Sequence, residues 1–102
     1  MAVYMIFNEQ VTDHSKFENY RQQAGALILR YGGRFLVRGG NVTSLEGNPG
    51  LHRVVVIEFD DMTAARRFYD SDEYRPLIQL RKSASTGYAA IVEGSPSSTR
   101  TD

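Results

Sequence analysis

Apolar positions along the chain repeat with two periods, of two residues in some segments and of three to four residues in others. The two-residue period marks β-strands, and it predicts strands over residues 2–9, 34–38, 51–59 and 86–93. The first segment is apolar on both faces, as expected of a central strand that is covered on both sides. The third segment is rich in successive β-branched residues, which predicts the strongest strand of the chain.

The longer period predicts helices between these strands. A first helix is expected over residues 14–31, with Asp13 as its N-cap. Asp61 is the predicted N-cap of a second helix, which residues 70–72 interrupt. A third helical segment then follows, with Pro76 in its first turn, where a missing backbone N–H costs nothing.

The predicted order of elements is β-α-β-β-α-β. This order predicts an α+β fold of ferredoxin-like type, in which helices cover one face of a four-stranded antiparallel sheet and the first and third strands are central. One domain is expected over residues 1–94. Residues 95–102, which are rich in Ser, Pro and Thr, are expected to form a disordered tail.

The sheet face away from the helices is predicted to be apolar. The residues assigned to this open face are Tyr4, Ile6, Leu36, Val54 and Val56. A monomer would leave this patch in water, so the pattern favours a homodimer in which the two open faces meet and form a closed barrel.

The segment 31–40 reads Y-G-G-R-F-L-V-R-G-G, which indicates a helix end, a turn and a strand. Regular alternation places Arg34, Leu36 and Arg38 together on one face of that strand. The glycine pair that follows predicts a bulge or bend, after which residues 42–46 are candidates for a continuation of the strand. Gly25 either weakens the first helix or allows another group to approach it closely.

Charge and composition narrow the function classes. Lys plus Arg number 12, as do Asp plus Glu, so the formal net charge is zero. This balance argues against nucleic acid or an anionic membrane as the main partner. There is no cysteine, and the two histidines are isolated in sequence, so neither a metal nor another cofactor is expected. No segment resembles a signal peptide or a membrane span, which makes the cytoplasm the expected location.

Several motifs together resemble a bacterial family known as domain of unknown function 1330. They are Y-G-G-R-F-L-V-R-G-G at 31–40, L-E-G at 45–47, V-V-V-I-E-F at 54–59 and A-A-R-R-F-Y-D-S-D-E-Y-R-P-L at 64–77. The resemblance implies the dimeric α+β barrel fold and a homodimer. It implies no particular reaction, because the family has none established. The broader superfamily includes cofactor-independent monooxygenases, haem-degrading enzymes, lactone isomerases and modules without known catalysis.

Haem degradation is not expected within that superfamily. Asn8 resembles the first-strand asparagine of the haem-degrading relatives, which also need a tryptophan and a histidine on a helix as the axial ligand. The chain has no tryptophan. His14 is expected at a helix start and His52 on a strand, so neither matches that ligand.

The candidate site lies on the predicted open face. If Arg38 and Glu58 share that face, Arg38 is an anchor for a carboxylate or enolate and Glu58 is a base or an acceptor. The alternative is a structural ion pair that fixes strand register. Tyr4 and Asn8 are candidate hydrogen-bonding groups in the same cavity. His52 is a second candidate base, with an exposed side chain after a turn as its alternative.

The remaining polar groups are assigned structural roles. The Arg66–Arg67 and Arg81–Lys82 pairs are interpreted as solvated helix faces. Three tyrosines are expected to pack helices onto the sheet, namely Tyr20, Tyr69 and Tyr74.

Three functions remain open from the sequence. The first is a small homodimer that binds a small organic molecule, preferably an acid, between the sheet faces through Tyr4, Asn8, Arg38 and Glu58. The second is a cofactor-independent monooxygenase or isomerase with Glu58 or His52 as the catalytic base. The third is a non-catalytic interaction module, in which the dimer itself is the functional product.

Overall fold

The computed structural model describes residues 1–96 of the 102. Within them the elements are β1 (Val3–Val11), α1 (His14–Arg30), β2 (Arg34–Arg38), β3 (Arg53–Phe59), α2 (Met62–Tyr69), α3 (Arg75–Ala84) and β4 (Ser85–Glu93). The strands form one antiparallel sheet in the order β2-β3-β1-β4. The predicted α+β, ferredoxin-like architecture with central first and third strands is therefore confirmed.

The helix ends follow from local chemistry. The carboxylates of Asp13 and Asp61 accept the backbone N–H groups of Lys16 and Ala64 at 3.0 and 2.8 Å, as N-caps do. The helix α1 closes through the glycine pair that follows Tyr31. Gly32 adopts a φ of +88°, and the Gly33 N–H donates to the Ile28 carbonyl at 2.9 Å.

The prediction of a strand over residues 42–46 is wrong. No strand lies between the end of β2 and the start of β3. The Gly39 N–H donates to the Val54 carbonyl at 2.8 Å, just beyond the end of β2. Gly39, Gly47 and Gly50 then take positive φ values of 76°, 66° and 67°, which turn the backbone away from the ladder.

The hydrophobic core lies between the helices and one face of the sheet. Its largest fully buried side chains are Val3, Met5, Ile57, Phe59, Phe68 and Tyr74. The hydroxyl groups of Tyr20 and Tyr74 are 2.7 Å apart in this core, so each phenol satisfies the other.

The opposite, open face carries apolar cross-strand rows that no described element covers. In the central row, Val37 faces Val56, Val56 faces Ile6, and Ile6 faces Ala90. The exposed fractions of Leu36 and Tyr88 are 54% and 57%. The predicted apolar open face is therefore present in the structure.

The sheet ends where the Gly94 N–H donates to the Ala2 carbonyl at 2.9 Å. The predicted disordered tail over 95–102 lies outside the described residues from position 97 onward. No helix within residues 1–96 has the length and apolar character needed to cross a membrane.

Candidate functional site

A β-bulge in β2 decides where Arg38 lies. Arg34 faces Glu58 on β3, but the register shifts between Phe35 and Val37, so that Arg38 faces Val55. Val55 belongs to the buried, helix-covered side of the sheet. The prediction that Arg38 and Glu58 share a face is therefore wrong, because the extra residue of the bulge reverses the alternation beyond it.

Arg38 instead lies between β2 and the helix α1. Its guanidinium carbon is 4.0 Å from the centre of the Phe35 ring, a cation–π arrangement. A Cβ at Gly25 would lie 2.5 Å from a guanidinium nitrogen of Arg38. Gly25 thus allows the close approach that was one of its two predicted roles. Among the described residues, no hydrogen bond or ion pair engages the Arg38 guanidinium.

Arg38 and Gly25 line a cleft between α1 and the sheet, which we call the helix-side cleft. Its volume is ≈ 330 Å³, including the part open to solvent. The apolar walls come from Phe7, Ala24, Ile28, Phe35, Val55 and Ile57. Only ≈ 30 Å³ of it is cavity space in the sense used for small-molecule sites, which is far below their range of roughly 300–1,000 Å³ and holds one or two water molecules.

The inner end of the helix-side cleft holds an ion pair between a buried carboxylate and a half-buried guanidinium. Glu9 is only 4% exposed, and its carboxylate accepts a hydrogen bond from Arg53 at 3.2 Å. Burial raises the pKa of the Glu9 carboxyl, and the nearby charges of Arg53 and Arg81 oppose this only in part. Three guanidinium groups accompany this carboxyl group among the lining residues: Arg53 pairs with Glu9 and Arg21 with Glu18, whereas Arg38 has no partner among the described residues.

Two phenols lie close to this ion pair. Burial raises the pKa of both hydroxyl groups, that of Tyr74 to about 12. Tyr20 lines the helix-side cleft. Both phenols therefore remain neutral at physiological pH and can act only as hydrogen-bonding groups.

Glu58 is engaged on the open face of the sheet. It accepts a hydrogen bond from Arg34 Nε at 3.0 Å and one from the Tyr4 hydroxyl at 3.2 Å. The hydrogen bond to Glu58 raises the pKa of Tyr4. The structure thus brings Tyr4 and Glu58 together as predicted, with Arg34 in the place expected for Arg38.

Asn8 and His52 are also neighbours, but through the backbone. The Asn8 side chain donates to the Gly50 carbonyl at 3.0 Å and accepts the His52 N–H at 2.8 Å. Asn8 thereby ties the end of the loop between β2 and β3 to the central strand. The His52 side chain is exposed, and it precedes β3 rather than lying within it. A catalytic role for Glu58 or His52 stays a prediction.

The sequence interpretation did not recognise that charged residues lie on the helix-covered face. Glu9 continues the buried row of Val3, Met5 and Phe7, and Arg53 continues the row of Val55 and Ile57. Arg81 lies four residues after Leu77 on the buried side of α3 and is 7% exposed, so its interpretation as part of a solvated face is wrong. A charged residue in phase with an apolar stripe is the signal that identifies such groups.

No group of three or more His, Asp or Glu side chains within residues 1–96 is arranged to hold a metal ion. The charged groups that line the helix-side cleft are one carboxylate and three guanidinium groups. This set suits a small organic anion better than a divalent cation, which needs several oxygen ligands.

The sequence itself assigns the family. Residues 2–95 match the family described as a domain of unknown function, DUF1330. The chain belongs to the DUF1330 family. The resemblance noted in the sequence motifs is thereby confirmed. No curated protein gives a significant match to this DUF1330 chain.

Solved structures show the same fold as this DUF1330 protein. A protein of unknown function from Rhodopseudomonas palustris matches with a TM-score of 0.73 and 17% identity, over 93% of this chain and 82% of the other. SnoaB, a cofactor-independent oxygenase from Streptomyces nogalater, matches with a TM-score of 0.67 and 18% identity, over 99% and 98%. A putative antibiotic biosynthesis monooxygenase from Nitrosomonas europaea matches with a TM-score of 0.56 and 15% identity, over 94% and 100%. At these identities the likeness concerns the fold alone.

Proposed function

We propose that this protein binds a small organic acid in the helix-side cleft, with Arg38 as the anchor for the acid group. The observation that supports the proposal is the Arg38 guanidinium, which has no partner within residues 1–96 and is held over Phe35 and against Gly25 beside an apolar cleft. A planar guanidinium with free N–H groups is well suited to a carboxylate or an enolate.

The rest of the cleft offers apolar surface to the body of such a ligand, which extends into the solvent-open mouth because the enclosed cavity is only ≈ 30 Å³. The apolar walls suit a ring or a short hydrocarbon chain, whose burial contributes roughly 25 cal/mol per Å². The Arg53–Glu9 pair closes the inner end, and the Tyr20 side chain lines the same cleft. The ligand's acid group therefore belongs at Arg38 and its apolar part between α1 and β3.

Benzoate is a suitable probe for this site, with calorimetry as the measurement. Replacing Arg38 by Met is expected to weaken benzoate binding at least about tenfold, because a charge-assisted contact is lost. Arg34→Met is the matched control, since Arg34 lies on the same strand but bonds Glu58 on the other face. Binding that is weakened by Arg34→Met and kept by Arg38→Met would place the ligand between sheet faces and contradict the proposal.

The quaternary structure in this proposal is a homodimer. The open face carries exposed apolar residues on strands β2 and β4, and a second copy would remove them from water. The helix-side cleft lies on the opposite side of the sheet, so the dimer leaves it accessible. The oligomeric state in solution tests this part independently of ligand binding.

A second candidate function is proton abstraction by Glu9 in the same cleft. A carboxyl group whose pKa is raised by burial is a better base than one with an ordinary pKa, and the flanking guanidinium groups would stabilise the resulting substrate anion. The likeness of fold to a cofactor-independent oxygenase makes quinol-like compounds the first substrates to assay. Glu9→Gln is expected to abolish such turnover. Turnover that survives Glu9→Gln but is lost in Glu58→Gln or His52→Ala would assign the reaction to the open face.

A further inference from the structure

A second cleft lies on the other side of Glu9, between the last turn of α3 and strand β4. We call it the β4 cleft. It is lined by Glu9, Tyr69, Arg81, Lys82 and residues 85–89, and it encloses ≈ 830 Å³ including open solvent. It shares Glu9 with the helix-side cleft and has no other lining residue in common with it.

Arg81 is a buried cation without a partner in this cleft. The residue is 7% exposed, and its Nε is fully buried with no acceptor. Within residues 1–96 its side chain makes no hydrogen bond or ion pair, and its guanidinium carbon lies 5.2 Å from the centre of the Phe7 ring. Desolvating a charge without a hydrogen-bonding partner costs several kcal/mol, roughly, so a group in this state favours an added anion.

The neighbouring charges leave a positive excess at the β4 cleft. Within the part of the chain that the structure describes, Glu9 is its one acidic lining residue, and the Glu9 carboxylate already bonds Arg53 in the other cleft. Lys82, next to Arg81, adds a second cation and is exposed. Two guanidinium groups thus share one carboxylate, and Lys82 adds a third positive charge without a further acidic residue among those that line the cleft.

The carbonyl groups at the end of α3 do not compensate Arg81. Its own carbonyl accepts the Ser85 hydroxyl at 2.8 Å. The Ala84 carbonyl accepts the backbone N–H groups of Thr12 and Asp13 at 2.8 and 3.1 Å. These carbonyl groups of the last helical turn already accept hydrogen bonds from other donors, and neither accepts one from the Arg81 guanidinium.

We infer that the β4 cleft binds a small oxyanion, a carboxylate or a phosphate group, through Arg81 and Lys82. This site is distinct from the one proposed at Arg38. The acid group contacts the guanidinium nitrogens that border the cleft and the ammonium group of Lys82. Thr86 lines the same cleft, and its hydroxyl group suits a remaining oxygen of the anion, whereas the Ser85 hydroxyl already donates to the Arg81 carbonyl.

Titration of the full chain with inorganic phosphate and, separately, with acetate tests this site by nitrogen-15 NMR. The buried Nε–H of Arg81 gives a direct signal. We expect a saturable shift of that signal and of the backbone amides of residues 85–89. Saturation by phosphate alone, by acetate alone or by both supports the site and identifies the group it prefers. Shifts that do not saturate with either anion overturn it.

Variants separate this site from general ionic effects. Arg81→Met is expected to abolish the saturable shifts of residues 85–89, and Lys82→Gln to weaken the affinity at least about threefold. Lys16→Gln, on an exposed part of α1, is expected to leave the affinity reported by residues 85–89 unchanged. If Arg81→Met does not fold, the exposed Lys82→Gln substitution and the Arg81 signal of the native chain still decide whether the anion binds in the β4 cleft. Affinity that is equal in Lys82→Gln and Lys16→Gln overturns the assignment.

Discussion

A guanidinium nitrogen of Arg38 lies 2.5 Å from the position that a Cβ at Gly25 would occupy. Glycine inside a helix costs about 1 kcal/mol relative to alanine, and position 25 lies in the middle of α1. The helix is less stable by that amount at the position where the Arg38 guanidinium packs against it. This close contact requires glycine at position 25, so the position of the Arg38 side chain depends on the sequence of α1.

Replacing Gly25 by Ala is expected to separate stability from binding. Because the guanidinium is the end of a flexible side chain, it can swing away from the new methyl group. The helix then gains up to about 1 kcal/mol, reduced by the lost stacking on Phe35. Benzoate affinity should fall, since Arg38 no longer points along the cleft. Denaturant unfolding and calorimetry measure the two effects.

The control for this prediction is the same substitution in an Arg38→Met background. There Gly25→Ala should stabilise the protein by about 1 kcal/mol, because a more adaptable side chain has replaced the guanidinium. Unchanged benzoate affinity in the Gly25→Ala single variant would show that the contact between these residues has no part in binding.

The ionisation of Glu9 predicts how stability depends on pH. Its pKa in the folded protein is raised above the ordinary value of 4.5. The folded state therefore holds the proton more tightly than the unfolded state. The stability linked to that proton is fully present below pH 4.5 and is lost as pH rises through the raised pKa.

The measurement is the free energy of unfolding of the native chain relative to Glu9→Gln across acidic to neutral pH. The difference should move in favour of the glutamine variant as pH increases above 4.5, and then level off. Glu46→Gln, at an exposed position in the loop between β2 and β3, is the control. A difference that moves in favour of the native chain with increasing pH would mean that Arg53 and Arg81 outweigh the effect of burial.

The tyrosine pair in the core predicts a non-additive effect of two substitutions. Tyr74→Phe leaves the buried Tyr20 hydroxyl without its partner at 2.7 Å, which should cost about 1–3 kcal/mol. Replacing both tyrosines by phenylalanine should cost less than the sum of the single substitutions, since no hydroxyl is then left unsatisfied. Unfolding of the four proteins gives the coupling free energy. A coupling near zero would mean that another acceptor replaces the lost hydroxyl.

The architecture could be predicted from the sequence because its signals are local and periodic. The apolar pattern of β1 indicates a central strand, and the caps at Asp13 and Asp61 mark the starts of two helices. The position of Arg38 could not be predicted in the same way. Alternation assigns faces only while the register is regular, and the bulge between Phe35 and Val37 breaks it.

The buried charges of the candidate site carried a signal that needed a different interpretation. Glu9, Arg53 and Arg81 each occupy a position in phase with core residues. Taken one at a time, each is the end of a strand or the last turn of a helix, where charges are usually solvated. In the folded chain these three ends lie close together on the helix-covered face of the sheet. No single segment of sequence contains that information.

The open face predicts the outcome of a charge substitution. Val56 lies in the central row of that face, opposite both Val37 and Ile6. We expect the native chain to sediment as a dimer and Val56→Lys to sediment as a monomer, because an ammonium group would be buried without a partner at the centre of the interface. Leu29→Lys is the control, since Leu29 is an apolar residue that is 60% exposed on α1 and lies outside the sheet. A native chain that sediments as a monomer would contradict the dimer, as would a Val56→Lys variant that remains dimeric.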